Sequence, residues 1–428
     1  MTDRHADLSA RIRALVEQYF ALGEPPGSRG GAKIPLHVPS YGAEEVNEAI
    51  DSLLTTRITM GEKVRRFEAL WAEYLGVGNA VMVNSGSSAN LIAASVLSNP
   101  AFPRRLEPGD EVIVPAVAWS TTYFPLVNVG AVPVLADVDP DTFTLDPAAA
   151  EAAITPRTRA LMPVHLLGNP CDMTRLGDLA RRRDLFLIED ACESHGALFE
   201  GRKVGSFGQV GTFSFYFSHH ISTIEGGMVV TSDEEIADLA RVLRAHGWQR
   251  DVRNKAPVAG PLIDERYLFV NLGYNLRPTE LQGAFGIHQV PRLERFIQIR
   301  RENAEYWNGA LRKYSEWLRL SPGREGQGSR SVWFGYPITV RPSAPFSRED
   351  LVRFLGGQGI ETRPIMAGNF RDQPAIRLFA HRIAGPLPNA EGIMSHSFFI
   401  GNHHGIGERE RTYVKECVDE FMRQRVGP

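Results

Sequence analysis

Short apolar runs alternate with helical patterns between about residue 80 and residue 232 of this chain. Helices are predicted between several of these runs, for example over 173–184 and 233–247. Strands that are apolar throughout and are separated by helices are typical of a mostly parallel sheet with both faces covered. The pattern therefore predicts a large α/β/α lobe. The runs are EVIVPAV (111–117), VPVLADV (132–138), RALMPVHLL (159–167), DLFLIEDA (184–191), TFSFYF (212–217) and GMVVTS (227–232).

The two ends of the chain differ from this central part. Apolar residues recur at helical spacing from Leu8 to Tyr19 and predict an amphipathic helix, and a Gly/Pro-rich linker follows over 23–33. A helical region over roughly 278–313 leads into a new strand signal at 333–340, which indicates a smaller C-terminal α/β lobe. The predicted parts are an N-terminal helix and linker (1–32), a large domain (33–290) and a small domain (291–428).

The composition of the chain limits the kinds of partner that it is expected to bind. The 428 residues carry a net charge of −3, which gives no electrostatic reason to expect nucleic acid or an anionic membrane. No apolar stretch approaches the roughly 18 residues of a membrane span, and the charged N-terminus does not look like a signal peptide. The three cysteines form no CxxC pair, so neither a disulfide framework nor structural zinc is expected. A cytoplasmic location is predicted.

Two segments at predicted strand ends are candidates for ligand binding, because ligands of parallel sheets collect at the carboxyl ends of the strands. NSGSSANLIAAS (84–95) opens a helix with backbone N–H groups and hydroxyls, which bind phosphate, although serine also caps helices without any ligand. LFLIEDACESHGA (185–197) places Glu189 or Asp190 at the sheet edge. Such a carboxyl group holds a protonated heterocycle nitrogen or caps the next turn, and the sequence leaves both open.

The third candidate is SFYFSHHISTIEGG (214–227), in which two adjacent histidines are predicted to lie at the end of a strand. Neighbouring strand residues point to opposite faces, so His219 and His220 are not expected to share a metal ion, and no metal site is predicted. Packing is the ordinary role of a buried histidine. Because histidine titrates near neutrality, acid/base work is the functional alternative.

Taken together, these motifs resemble the sugar aminotransferase family DegT/DnrJ/EryC1/StrS, vitamin B6 enzymes of fold type I, the aspartate aminotransferase-like fold. The resemblance runs from about residue 33 to the C-terminus and includes SGSSAN, PAVAWSTT, LIEDACESHGA, SFYFSHHISTIEGG and LGYNLRPTELQ. It implies that the large domain binds pyridoxal 5′-phosphate or pyridoxamine 5′-phosphate. It also implies a homodimer.

One departure from the family pattern bears on the activity. Family aminotransferases carry a lysine in the strand-end motif that binds pyridoxal phosphate covalently, and His219 takes its position here. The chain has only six lysines, and the nearest one before the motif is Lys203, in another segment. The substitution is similar to the branch of nucleotide-sugar 3-dehydratases. Some members of that branch carry an iron–sulfur cluster, normally held by four cysteines, so with three cysteines no such cluster is expected.

The resemblance implies removal of the C3 hydroxyl from a nucleotide-linked 4-keto-6-deoxyhexose, giving a 3,6-dideoxy-4-keto sugar and ammonia. His219 would be the base, because imidazole takes a proton but forms no stable covalent link to the cofactor. L-glutamate, the usual donor in the family, is the expected source of the amine. The alternatives are an aminotransferase of the same family and a non-catalytic partner protein. The nucleotide (GDP, CDP or TDP) and the sugar stereochemistry stay open.

The other roles follow by position in the motifs. Asp190 would hold the pyridinium proton, Trp119 would stack on the ring, and Glu193, which replaces a common glutamine, would face the ring or its 3-hydroxyl. Phosphate contacts are implied for Ser87, Ser88 and Ser214, and for Asn275 from the other subunit. Substrate contacts are implied for His246 and Arg250.

Overall fold

The computed structural model describes residues 3–23, 31–255, 263–326 and 328–427. The predicted N-terminal helix is present as Asp3–Ala21, and residues 24–30 of the predicted linker lie outside the described residues. On this helix Leu15 and Tyr19 are exposed, and Arg13 pairs with Asp51 at 3.2 Å. In the described part of the chain, no helix combines the length and apolar character needed to cross a bilayer.

Helices and strands alternate through the middle of the chain, as the apolar runs predict. The helices are α1 (Asp3–Ala21), α2 (Ala43–Leu54), α3 (Glu62–Leu75), α4 (Gly86–Leu97), α5 (Ser120–Asn128), α6 (Pro147–Ala152), α7 (Met173–Arg182), α8 (Glu234–Arg244), α9 (Glu280–Gln289), α10 (Leu293–Leu311), α11 (Arg348–Gly357), α12 (Pro388–His396) and α13 (Glu408–Val426). The strands are β1 (Asn79–Val83), β2 (Glu111–Pro115), β3 (Val132–Ala136), β4 (Thr158–Leu161), β5 (Phe186–Asp190), β6 (Leu198–Phe199), β7 (Arg202–Lys203), β8 (Val210–Ser214), β9 (Gly227–Thr231), β10 (Leu318–Leu320), β11 (Gly335–Val340), β12 (Thr362–Pro364), β13 (Arg382–Ile383) and β14 (Ser397–Gly401).

The large sheet has the strand order β1-β9-β8-β5-β4-β2-β3-β13. Strand β9 runs antiparallel to both of its neighbours, and the remaining pairings are parallel. Every residue of β1, β2, β5, β8 and β9 is buried, which explains why these strands lack the polar alternation of a half-exposed sheet. Strand β1 is not among the predicted runs, although it has the same length as β2, β5, β8 and β9.

Helices cover both faces of this sheet. On one face α4, α5 and α8 contribute Ile92, Leu126 and Ile236 to a continuous apolar core. On the other face α3 and α7 contribute residues such as Trp71 and Leu176 to a second core. This arrangement is the predicted α/β/α lobe, and it brings the carboxyl ends of the parallel strands to one edge.

The C-terminal part forms a second, antiparallel sheet with the order β10-β11-β14-β12. Side chains of α10, α11 and α13 pack against it, among them Trp307, Leu351 and Phe421. The chain also returns to the large sheet, because β13 pairs with β3 through Arg382 and Val134. The domain boundaries at 32/33 and 290/291 stay predictions.

Arg382 ties this returning segment to the large sheet. Its guanidinium donates to the carboxylate of Glu111, fully buried at the start of β2, at 2.8 and 3.1 Å, and to the Ala153 carbonyl at 2.6 Å. We expect Arg382→Met to lower the free energy of unfolding by about 2 kcal/mol, because the carboxylate then keeps fewer partners. Urea unfolding checks this. Arg377→Met, at an exposed arginine, is the matched control. Equal losses of unfolding free energy in the two variants would contradict a stabilising role of the Arg382–Glu111 contact.

Candidate active site

The first part of the site is a cradle at the start of α4. The Ser85 side chain caps the helix by accepting the Ser88 N–H at 3.1 Å. A Cβ added to Gly86 would lie 2.4 Å from the Cβ of Ser214 at the end of β8, and one added to Gly227 would lie 2.1 Å from the Ser85 carbonyl oxygen. Glycine at both positions therefore lets three segments touch. Free N–H groups and hydroxyls at such a helix start suit a phosphate.

The predicted phosphate ligands differ in exposure. Ser87 is exposed, whereas Ser88 and Ser214 are largely buried. The Ser88 hydroxyl donates to the side chain of Asn84 at 2.6 Å, and the Ser214 hydroxyl accepts the N–H of Tyr216 at 3.3 Å. The structure thus brings the three serines to one corner.

Asp190 ends β5 and faces the helices. Its Oδ2 accepts hydrogen bonds from Asn90 Nδ2 and Thr122 Oγ1, each at 2.9 Å. The Asn90 side chain is in turn fixed by the Thr212 hydroxyl at 2.6 Å. Sequence reasoning did not select Asn90 or Thr122, although both lie in the quoted SGSSAN and PAVAWSTT motifs. The network orients one carboxyl group beside the cradle.

Glu189 lies on the opposite side of the strand, as expected for a neighbour of Asp190. Its carboxylate accepts the backbone N–H groups of Gly205 at 2.8 Å and Gly208 at 2.7 Å, and it contacts the His165 ring at 3.1 Å. Of the two roles that the sequence leaves open, Glu189 therefore has that of the turn cap. Asp190 is the carboxyl group available to a ligand.

Glu193 is also buried near this edge. Its Oε2 accepts the N–H of Leu167 at 2.8 Å, at a residue with a left-handed φ of 54°. Burial is the main cause that raises the pKa of Glu193 to about 8; the Leu167 N–H opposes this rise and the negative charge of Asp190 adds to it. Glu193 is therefore protonated at neutral pH and carries a proton that it can donate.

The expectation that the two histidines lie on a strand is wrong. Strand β8 ends at Ser214, and the chain then turns, with the His219 N–H donating to the Tyr216 carbonyl at 3.0 Å. Because a turn does not alternate its side chains as a strand does, His219 and His220 do not point to opposite faces. Both rings lie beside His195, at centroid distances of 5.8 and 5.4 Å.

Each histidine of this cluster has at least one buried ring nitrogen without a hydrogen-bond partner among the described residues, and His219 is the one at the position of the family lysine. Its ring packs against Phe334 at 5.2 Å, and among the described residues its buried Nδ1 has no hydrogen-bond partner. The His220 ring instead donates through Nε2 to the Val332 carbonyl at 3.1 Å. Burial, and then the positive charge of Arg300, lower the pKa of His219 to about 3. The imidazole is neutral and is able to accept a proton.

No lysine substitutes for the missing family lysine in this cluster, as far as the described residues extend. Lys203 donates to the Tyr74 carbonyl at 2.5 Å, and Lys33 bonds the Tyr413 hydroxyl at 2.8 Å. Three of the remaining lysines form ion pairs, Lys63 with Glu48 and both Lys313 and Lys415 with Asp419. The last, Lys255, lines a surface cleft together with several arginines.

The predicted ring-stacking residue is exposed. Trp119 precedes α5 with 59% of its surface exposed, one helical turn from Thr122, the residue that bonds Asp190. A large, exposed aromatic side chain at this position is able to stack on a ligand that binds to Asp190.

Asn275 lies next to the cradle, because the following residue, Leu276, accepts the N–H of Asn84 at 3.0 Å. Its exposed side chain accepts from Arg277 Nε at 3.0 Å. His246 and Arg250 belong to the same region: the His246 N–H donates to the Tyr274 carbonyl, and Arg250 lies over the Trp248 ring at 5.1 Å. The structure therefore groups these two residues with Asn275. All the ligand roles stay predictions.

Comparison with known proteins places this geometry in a family. The profile of the DegT/DnrJ/EryC1/StrS aminotransferase family matches residues 39–419. Two relatives are named GDP-4-keto-6-deoxy-D-mannose 3-dehydratase. The protein from Escherichia coli is 42% identical over 377 residues, covering 87% of this chain and 96% of the relative. The protein from Yersinia pseudotuberculosis is 40% identical over 377 residues, covering 86% and 94%.

A solved structure is similar over almost the same range. It is described as GDP-4-keto-6-deoxymannose-3-dehydratase with a trapped PLP-glutamate geminal diamine. It matches with a TM-score of 0.85 at 38% identity and covers 90% of this chain and 100% of that one. The predicted aspartate aminotransferase-like fold is confirmed. The chain belongs to the DegT/DnrJ/EryC1/StrS aminotransferase family, as its motifs predict.

Proposed function

We propose that this chain is a 3-dehydratase, dependent on pyridoxal and pyridoxamine phosphate, that acts on a GDP-linked 4-keto-6-deoxymannose. It removes the C3 hydroxyl and gives a 3,6-dideoxy-4-keto sugar and ammonia. The observation that carries the proposal is the neutral, unbonded His219 nitrogen at the position of the family lysine. The names of the two relatives support the dehydratase over an aminotransferase and supply GDP as the nucleotide.

The residues present fit the cofactor. The glycine-lined cradle at the start of α4 provides N–H groups and hydroxyls for its phosphate. Asp190, fixed by Asn90 and Thr122, suits a protonated ring nitrogen. Trp119 is exposed at the start of α5, where it would cover the ring. When bound, the cofactor supplies an amine for the C4 carbon of the sugar and a ring that accepts electrons.

His219 carries the proton transfer. Its Nδ1 is buried and unbonded among the described residues, so it takes a proton without first breaking a hydrogen bond to the protein. The protonated ring then donates to the departing C3 hydroxyl. Glu193, which carries its own proton at neutral pH, would face the cofactor ring or its 3-hydroxyl and could donate a hydrogen bond there. Because the ring at 219 forms no stable covalent link to the cofactor, it does not recapture the cofactor as a lysine would. The amino nitrogen carried by the product is then released as ammonia by hydrolysis with water.

The partners follow the same reasoning. L-glutamate is the proposed amino donor, supported by the relative whose structure holds PLP and glutamate. A homodimer in which Asn275 of the partner subunit reaches the phosphate is supported by exposed apolar side chains before Asn275. They are Tyr267, Phe269, Val270 and Leu272. His246 and Arg250 are proposed to contact the substrate. The cytoplasmic location stays a prediction.

We expect His219→Ala to reduce ammonia release from GDP-4-keto-6-deoxymannose by about 10³-fold, because general acid–base catalysis is lost. Cofactor binding persists, since the cradle and Asp190 are intact. Free ammonia, product mass and cofactor absorbance are the measurements. His396→Ala, whose ring bonds the Gly392 carbonyl at 3.1 Å in α12, is the control.

The same assay separates the alternatives. An intact amino sugar without ammonia would identify an aminotransferase. No turnover with GDP-, CDP- or TDP-linked 4-keto sugars, together with no cofactor binding, would favour the non-catalytic partner protein.

We expect Gly86→Ala to weaken binding of pyridoxal phosphate by about tenfold or more, because the added Cβ forces α4 away from Ser214 and opens the cradle. Titration followed by absorbance measures the affinity. Gly177→Ala is the matched control, since a Cβ there meets nothing within 4 Å in α7. Equal affinities for the two variants would place the phosphate elsewhere.

The Glu193→Gln variant tests whether Glu193 is protonated in the folded protein, and the experiment is done without cofactor. The folded pKa of about 8 lies above the ordinary value of 4.5, so unfolding releases a proton between these pH values. Wild-type stability therefore falls as the pH rises from 4.5 through about 8, and the variant lacks this loss. We expect urea unfolding to show that the free energy of unfolding of the variant, relative to that of the wild type, increases between about pH 5 and about pH 8. Parallel pH profiles would mean that Glu193 is ionised in the fold.

A further inference from the structure

Arg300 of α10 is a buried cation that takes no part in the roles proposed above. It is only 3% exposed, and its Nη1 donates to the carbonyls of Trp333 at 3.2 Å and Phe334 at 3.0 Å and to the carbonyl of Asn402. Its Nε has no hydrogen-bond partner in the described part of the chain. No ion pair to a carboxylate is found for it among the described residues either. Its hydrogen-bond acceptors are neutral carbonyl oxygens, so no opposite charge neutralises the guanidinium among the described residues.

The segment that Arg300 holds is the one on which the histidine rings rest. Phe334 packs against His219 at 5.2 Å, and the Val332 carbonyl accepts the Nε2–H of His220 at 3.1 Å. Between them, Trp333 has a left-handed φ of 54°, a conformation that costs energy for a bulky residue. Two hydrogen bonds from one guanidinium to residues 333 and 334 oppose relaxation of this turn.

The small lobe also depends on this contact. The Arg300 carbonyl accepts a hydrogen bond from Asn402 Nδ2 at 3.0 Å, and Arg300 Nη1 donates to the Asn402 carbonyl. Hydrogen bonds therefore run in both directions between α10 and the chain after β14. Asn303, one turn later on α10, donates to the same asparagine at 3.1 Å. Arg300 therefore joins the 332–334 segment, and the histidines against it, to the core of the small lobe.

We propose that Arg300 is a positioning residue for His219: it fixes the 332–334 segment beneath the two histidine rings and places an uncompensated positive charge behind them. The charge opposes a second positive charge on His219, so that the ring is neutral when substrate arrives. The inference deepens the proposed dehydratase and rests on His219 being its base.

The other groups around His219 do not supply this effect. His195 lies at 5.8 Å and Tyr216 at 6.5 Å from the His219 ring, and His220 is on the same turn. Burial lowers the pKa of His195 and His220 well below its ordinary value, so neither adds a positive charge at neutral pH. Arg300 is the charged group that lowers the pKa of His219 after burial itself, and it also lowers the pKa of His195 and His220. Geometry and electrostatics thus point to the same side chain.

The test uses the full-length protein without cofactor and does not need activity. Histidine labelled with ¹³C at Cε1 is followed by NMR, and the His219 signal is assigned by its loss in His219→Asn. In Arg300→Met we expect the ratio of protonated to neutral His219 to rise about tenfold at any pH where both forms are present. Arg300→Gln should behave the same, because it keeps a donor but loses the charge.

Two further variants complete the design. Arg300→Lys keeps the charge and should leave the His219 titration unchanged. Arg301→Met, at a neighbouring half-buried residue that pairs with Glu325 at 3.0 Å, is the matched control and should also change nothing. The proposal is overturned if the titration of His219 is unshifted in both Arg300→Met and Arg300→Gln. If those variants do not fold, a shifted His219 in the lysine variant overturns it.

Ammonia release adds a separate measurement. In Arg300→Met the acid limb of the rate profile should move to higher pH by about one unit, in step with the NMR titration. If the titration moves but no variant of the protein, including the wild type, dehydrates the sugar, the proposed function fails and the role of Arg300 stands. If dehydration is normal but the titration is unshifted, the proposed function stands and the role of Arg300 fails.

Discussion

The site depends on satisfying one buried carboxyl group at the end of a central strand. Asp190 lies away from water, where an unpartnered carboxylate is costly, and each hydrogen bond to it contributes about 1.5–3 kcal/mol. Its partners come from two different helices, Asn90 of α4 and Thr122 of α5. The same two bonds therefore set where α4 begins with its phosphate cradle and where Trp119 stands before α5. A change at this carboxyl group would displace side chains that are proposed as cofactor ligands and that it does not touch.

The second constraint is the surrounding of His219, to which both lobes contribute. The ring belongs to a turn of the large lobe, whereas Phe334 and the Val332 carbonyl come from the segment that enters the small lobe. Arg300 fixes that segment from α10. A lysine at 219 would be positioned by its covalent link to the cofactor, but a histidine has no such link. Its position has to come from packing, which explains why rings and carbonyls crowd this turn.

Much of this architecture could be predicted from local sequence. Buried parallel strands are apolar throughout, so their runs and the α/β/α layers were visible, and the motif order identified the family. Strand β1 (NAVMV) is not among the predicted runs, although it is as long as β2 and β5 and equally buried. The histidines were placed on a strand because TFSFYF continues the apolar pattern, whereas tertiary packing ends β8 at Ser214. The contributions of Asn90, Thr122 and Arg300 depend on contacts between distant segments, which periodicity does not encode.

Burial acts in opposite directions on the pKa values of Glu193 and His219. It disfavours the charged form of any group, so it raises the pKa of Glu193 to about 8 and lowers that of His219 to about 3. At neutral pH both side chains are uncharged, one with a proton to give and the other with a free lone pair. Separated pKa values of this kind let one fold hold a proton donor and a proton acceptor at the same pH. Removing the lysine thus leaves a site in which the protein contributes protons and contacts, and no covalent hold on the cofactor.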